Sequence, residues 1–127
     1  MNPNPAPGDR IHIVVDRPLG SWHPEHPDLI YPVNYGYVPG ILGGDGEEQD
    51  AYILGVDKPL AEFDGIFIAV LHREDDCEEK WVAAPEGVFF MVEEIMEAVR
   101  FQERYFKTSV REIFCPETGK TITRKRI

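Results

Sequence analysis

At 127 residues, with 43% hydrophobic and 11% aromatic side chains, the chain suits one folded domain with a single core and is too small for two. Its formal net charge of −10, from 23 acidic against 13 basic residues, argues against non-specific binding to nucleic acid or an acidic membrane, both of which need a positive footprint. Two cysteines, no long apolar run and no basic-then-apolar leader give no sign of a disulfide framework or a membrane span, so a cytoplasmic location is expected.

Residues 1–9, rich in Pro and Asn, read as a flexible arm. The β-branched run from Ile11 to Asp16 predicts a first strand, stopped by Arg17-Pro18. Trp22 to Asp28 is a loop stiffened by two prolines. His23 and His26 within it have the spacing of a metal pair, but with no cysteine nearby a solvent or phosphate contact is the simpler reading. Tyr31 to Tyr37 leads into Val38, Ile41 and Leu42. After an acidic loop, Tyr52 to Val56 is the next strand, followed by Ile66 to Leu71 and Trp81 to Ala84. From Val92 to Lys107, Val92, Ile95, Met96, Val99 and Phe106 recur at three- and four-residue steps, predicting an amphipathic helix. Residues 120–127 form a basic tail, read equally as a last strand or a frayed end.

Chemistry concentrates in the acidic loop Asp45-Gly46-Glu47-Glu48-Gln49-Asp50. Gly43-Gly44 and the Asp-Gly step permit a tight hairpin, which is expected to lift Asp45, Glu47 and Asp50 onto one rim. Crowded carboxylates repel unless a cation lies between them, and hard oxygen donors favour Mg²⁺, Mn²⁺ or Ca²⁺. The plainer reading is a solvated turn. A second acidic run, Glu74 to Glu79, precedes Lys80 and the strand from Trp81, and two such loops on neighbouring strands are suited to holding more than one metal ion.

The segment YPVNYGYVPG, followed by a short spacer and DGEEQD, resembles the family I (soluble) inorganic pyrophosphatases. The likeness runs from about Val14 to Lys107 and is dense only in the centre. It implies a mainly β fold with one C-terminal helix (α+β), built as a small OB-like five-stranded barrel with the site on its rim, the whole of 1–127 being one domain. By the same resemblance Asp45, Glu47 and Asp50 form an acid triad, with Tyr35 as its tyrosine. Asp75 or Asp76 and Glu78 form a second metal-binding group, and Lys80 binds phosphate. Asp16 ends the first strand, while Tyr105 and Lys107 approximate a helix-borne pair on the substrate.

The activity implied is Mg²⁺-dependent hydrolysis of pyrophosphate, bound as its metal complex, by a metal-activated water, with Mn²⁺ or Co²⁺ as alternatives and a homo-oligomer compatible. Asp45, Glu47, Asp50, Asp75, Asp76 and Glu78 are then metal ligands, and Glu47, Asp50 and Tyr35 are catalytic. Lys80, Tyr105, Lys107 and Arg17 are substrate ligands. Three departures qualify this assignment. Glu47 stands where the family has aspartate, Phe106 separates Tyr105 from Lys107, and the stretch from Gly20 to Tyr31 is too short for the family's basic hairpin. Arg17, His23, His26 or Arg73 are candidate substitutes. The alternatives are a binding module without turnover and a hydrolase of another phosphoanhydride.

Overall fold

The computed structural model describes residues 4–75 and 78–123. Seven strands and one helix follow in the order β1 (Arg10–Arg17), β2 (Asn34–Leu42), β3 (Glu48–Ile53), β4 (Glu62–Arg73), β5 (Glu79–Ala84), α1 (Val92–Glu103), β6 (Thr108–Cys115) and β7 (Lys120–Thr123). The sheet runs β1-β2-β3-β5-β4-β6-β7, and an extra β1–β4 pairing closes the first five strands into a barrel. The β6–β7 hairpin continues from β4 outside that ring. This is the expected small barrel. β3 and β5 are its parallel neighbours, whereas the other pairings are antiparallel.

Alternation along the strands sorts the apolar residues into two cores. Ile11, Ile13, Val15, Val38, Ala51, Ile53, Phe67, Val70 and Ala83 come from all five barrel strands and fill its interior. Tyr35, Tyr52, Leu71, Val82 and Ala84 belong to a second cluster on the outer wall, covered by Ile95 and Val99 of α1 and by Val110 and Ile113 of β6. Position 80, in step with Val82 and Ala84, therefore shares the outer wall rather than the barrel interior.

The YPVNYGY segment is explained first by architecture. Asn34 is fully buried, and its Oδ1 accepts the Leu19 and Leu60 amides at 2.9 and 3.0 Å while its Nδ2 donates to the Lys58 carbonyl at 2.9 Å. One side chain thus ties together two loops that would otherwise have unsatisfied backbone groups. At Gly36 a Cβ would lie 1.9 Å from the Val14 carbonyl oxygen, so the close approach of β1 and β2 requires glycine.

Several boundaries differ from expectation. The strand predicted from Tyr52 to Val56 ends at Ile53 and begins at Glu48, and β6 was not predicted at all. The helix stops at Glu103, so Tyr105 and Lys107 lie beyond it instead of on it. Its Glu94 Oε1 accepts the Met91 amide at 2.9 Å, satisfying one donor at the N-terminus. The arm expected to be mobile is anchored where Gly8 donates to the Phe67 carbonyl and Asp9 accepts the Phe67 amide. Residues 120–123 are a strand; 124–127 lie outside the described residues. No helix among the described residues is long and apolar enough to cross a membrane.

Candidate active site

A cleft of about 590 Å³ opens over the outer wall, between β2, β3 and β5 and the C-terminal end of α1. Lys80 lies at its floor with a side chain only 4% exposed. Its ammonium donates to Asp50 Oδ2 at 2.6 Å, Glu78 Oε1 at 2.7 Å and the Tyr35 hydroxyl at 3.0 Å, using all three of its protons. These groups arrive from different strands because Tyr35 pairs with Tyr52 across β2 and β3, and Ala51 pairs with Trp81 across β3 and β5. Asp50 and Lys80 are each one step from a paired residue and share its opposite face.

Burial alone would lower the Lys80 pKa; contact with Tyr35, Asp50 and Glu78 outweighs it and holds the lysine above its ordinary value. Burial chiefly pushes the Tyr35 phenol up, so it stays protonated at neutral pH and the two carboxylates sustain the lysine's charge there. The floor is thus a permanent cation with an attached phenol.

A second ionic knot lies behind the first. Glu103, almost wholly buried, accepts Arg73 Nε and Nη2 at 2.8 and 2.7 Å, the Tyr52 hydroxyl at 2.6 Å and Thr108 Oγ1 at 2.7 Å. Burial would raise its pKa, but these four donated hydrogen bonds and the guanidinium charge bring it below the usual carboxylate value. Gln102 bridges Tyr52 and Tyr31, donating to one hydroxyl and accepting from the other. Arg73 also reaches Glu78 Oε2 at 3.2 Å and lies 3.7 Å over the Phe106 ring. It lines the cleft with its guanidinium already committed.

The rest of the cleft is cationic and aromatic. Arg17 Nη1 donates to the Tyr31 hydroxyl at 2.7 Å and lies over the Tyr31 and Tyr35 rings. His23, His26, Asp28, Leu29, Arg104 and Tyr105 complete the opening. The lining cations Arg17, Arg73, Lys80 and Arg104 outnumber the lining carboxylates Asp28 and Asp50, a local excess of positive charge in a chain of net charge −10 that suits an anionic ligand.

No protein-family model matches the chain. Curated relatives do. It is 33% identical over 63 residues to an inorganic pyrophosphatase of Aeropyrum pernix, covering 46% of this chain and 36% of the relative. It is also 26% identical over 106 residues to one from Saccharolobus solfataricus, covering 68% and 62%. Among solved structures, an inorganic pyrophosphatase from Ehrlichia chaffeensis superposes with a TM-score of 0.59 at 20% identity, over 84% of this chain and 88% of that one. One from Neisseria gonorrhoeae gives 0.55 at 25% identity, over 77% and 74%. The chain is thus similar to inorganic pyrophosphatases in sequence over part of its length and in fold. It spans little more than a third of the length of the first of these relatives and under two thirds of the second.

Against the pyrophosphatase pattern the site is only partly assembled. Tyr35, Asp50, Glu78 and Lys80 come together, and Arg17 and Tyr105 line the same cleft. Asp45 and Glu47 do not join them. The hairpin is a strand–turn–strand as expected, but Asp50 lies within β3 while Asp45 and Glu47 sit exposed at the turn, so no common rim forms. Asp45 Oδ1 accepts the Glu47 amide at 3.0 Å, which makes its carboxylate a cap on its own turn.

Asp75 accepts the Lys107 amide at 3.2 Å and so secures the segment after α1. The Lys107 side chain is not among those lining the cleft. Asp76 lies outside the described residues. The barrel's outer wall, and not its rim, carries the cleft.

Gln102 and Glu103 were missed from sequence, although a signal existed. The apolar stripe Val92, Ile95/Met96, Val99 continues by its own period to positions 102 and 103. Polar residues in the buried phase of a helix mark an internal network, since burying them unpaired is costly.

Among the described residues no three His, Cys, Asp or Glu side chains gather closely enough to cage an ion. The donors that are present are hard oxygens, Asp50 and Glu78, with Asp16 near enough to Asp50 for the two charges to interact. Mg²⁺ is commonly held by one or two carboxylates, with water and phosphate oxygens completing its shell. This donor set fits an ion carried in with a phosphate ligand.

Proposed function

We propose that the chain hydrolyses inorganic pyrophosphate to two phosphates with a divalent cation, Mg²⁺ first and Mn²⁺ or Co²⁺ as alternatives, in a cytoplasmic setting. The observation that carries this reading is the buried Lys80 ammonium at the floor of a cationic cleft, joined to Tyr35, Asp50 and Glu78. The likeness to inorganic pyrophosphatases supports it.

Arg17 would bind phosphate oxygens, and the Lys80 charge at the floor would help offset the charge that builds on the departing phosphate, with Tyr105 at the opening. Phosphoryl transfer depends mainly on such positioning and electrostatics. Tyr35, held neutral, fixes the lysine and keeps a hydroxyl beside it. Asp50, the carboxylate at the Lys80 end of the cleft, would orient the attacking water. Asp50 and Glu78, with Asp16 beside them, would hold the cation. That ion supplies neutralisation of the diphosphate and a lowered pKa for water.

The test is phosphate release from pyrophosphate with and without Mg²⁺. Absence of turnover with Mg²⁺, Mn²⁺ and Co²⁺ rejects the proposal. A second reading, a phosphate-binding module without turnover, is favoured by the place of Asp45 and Glu47 away from the cleft. It requires pyrophosphate binding heat with no phosphate produced.

A further inference from the structure

The cleft extends well past the groups that a small inorganic anion can use. From Lys80 outward its wall carries the rings of Tyr35, His23, His26 and Tyr105. Tyr31, fully buried behind them, backs Tyr35 with centroids 5.8 Å apart and His23 at 6.4 Å in a stacked arrangement, and His23 and His26 lie 4.9 Å apart. Arg17 marks the inner end, 5.7 Å from the Tyr31 and Tyr35 ring centres. Leu29 and Tyr105, the latter 63% exposed, line the outer part.

The outer part sets uncharged, flat side chains beside Arg104 and Asp28. The His23 pKa is lowered, by burial first and then by Arg17, and its Nδ1 accepts the Glu25 amide at 3.0 Å, so the ring is neutral at neutral pH. Among these, the His23 imidazole, the Tyr105 phenol and Leu29 present flat and largely apolar surface next to the charges of Arg104 and Asp28. Such surface is used by organic groups, above all planar ones. A volume of about 590 Å³ is within the range of roughly 300–1,000 Å³ found for sites that take organic ligands.

We infer that the ligand carries a planar organic group, and that a nucleoside diphosphate fits the cleft better than pyrophosphate, with its anhydride between Lys80 and Arg17 and its base against His23, His26 and Tyr105. The turnover part of this inference rests on the hydrolysis proposed above; the recognition part does not. In the reaction, the water oxygen bonds to the terminal phosphorus and that phosphorus parts from the bridging oxygen. The nucleoside monophosphate leaves with the electron pair, and one proton passes to solvent.

Two measurements separate the inference from the reading beneath it. Calorimetry compares a methylene-bridged nucleoside diphosphate with methylenediphosphonate, both with Mg²⁺. The nucleoside analogue is expected to bind about tenfold more tightly, since stacking of one base contributes about 1–3 kcal/mol. Equal or weaker binding overturns the inference. His26→Ala is expected to reduce that preference severalfold, and an equal loss for both analogues overturns the stacking assignment. Phosphate release from pyrophosphate and from nucleoside diphosphates is followed in parallel. Release from neither overturns the hydrolytic reading, while release confined to pyrophosphate leaves it standing and removes nucleoside diphosphates as substrates.

Discussion

Asp50 Oδ2 lies 2.6 Å from Lys80 Nζ, across a parallel strand pair, in a contact that leaves the lysine almost wholly buried and the carboxylate about one third exposed. Asp50 thus faces both the lysine and the cleft. Asp50→Asn keeps the shape and removes the charge. Phosphate release is expected to fall at least about 100-fold, the size of effect seen when one aligned electrostatic group is lost from a phosphoryl- or acyl-transfer site. Folding should persist, because Glu78 still pairs with Lys80. Steady-state phosphate release, alongside circular dichroism, checks both halves.

The turn carboxylates should behave differently. Asp45 caps its own turn and Glu47 is exposed there. Glu47→Gln is expected to change phosphate release by no more than about twofold, the scale of an ordinary surface substitution. A loss comparable to that of Asp50→Asn would place Glu47 in the cleft of the working enzyme and return to it the role assigned by sequence.

The strands were legible from their β-branched runs, whereas the barrel followed only from the resemblance carried by YPVNYGY, whose residues have geometric constraints. Asn34 and Gly36 are fixed by hydrogen bonding and by a backbone approach, and Tyr35, Asp50 and Lys80 follow from them. β6 was not legible. Its buried residues Val110 and Ile113 are three apart, which breaks the two-residue period of a strand, and the β4–β6 pairing accommodates this through a register shift between Val70 and Leu71. Asp45, Glu47 and Asp50 are not gathered in the structure for a related reason: residue spacing in a hairpin specifies adjacency in sequence but not which strand position each carboxylate occupies. Glu103 was hidden because its significance depends on Arg73, thirty residues earlier.

The Arg73–Glu103 knot makes a stability prediction. Both side chains are nearly inaccessible, so removing the Glu103 charge leaves the buried Arg73 with only its longer contact to Glu78 among the ion pairs described above. Glu103→Gln is expected to cost about 3 kcal/mol, read from the midpoint of urea unfolding. The sign with pH follows from the lowered Glu103 pKa. Its contribution is complete above the unfolded value near 4.5 and is lost as pH falls through the lower folded value, so the gap between the two proteins should narrow only in acid. A gap that stays constant down to about pH 2 would contradict the ionic account.

Gly36 supplies a test of barrel closure independent of charge. A methyl group there would meet the Val14 carbonyl oxygen at 1.9 Å, a backbone atom that can move only if β1 shifts away from β2. Gly36→Ala is expected to destabilise by about 3 kcal/mol, the upper range for overpacking. The same shift would displace Arg17 and Tyr35, which flank this pairing and face the cleft. Catalytic efficiency should therefore fall even at temperatures where the variant is fully folded. Full activity in a folded Gly36→Ala protein would show that the site tolerates movement of the β1–β2 seam.

Metal removal should separate folding from turnover. Lys80 bridges Asp50 and Glu78 in the structure and Arg73 also pairs with Glu78, so these carboxylates need no divalent ion to remain together. A chelator is expected to abolish phosphate release while moving the thermal midpoint by no more than about 2 °C, because an ion stabilises a fold by RT ln(1 + [L]/Kd), a small quantity for an ion held weakly until phosphate arrives. Lys80→Met should reverse the pattern. With its internal cation gone, the carboxylate pair is left in mutual repulsion, and added Mg²⁺ should then raise the melting temperature by several degrees as mass action draws the ion into the vacated place. Equal Mg²⁺ responses in the two proteins would mean that lysine and metal do not share these oxygens.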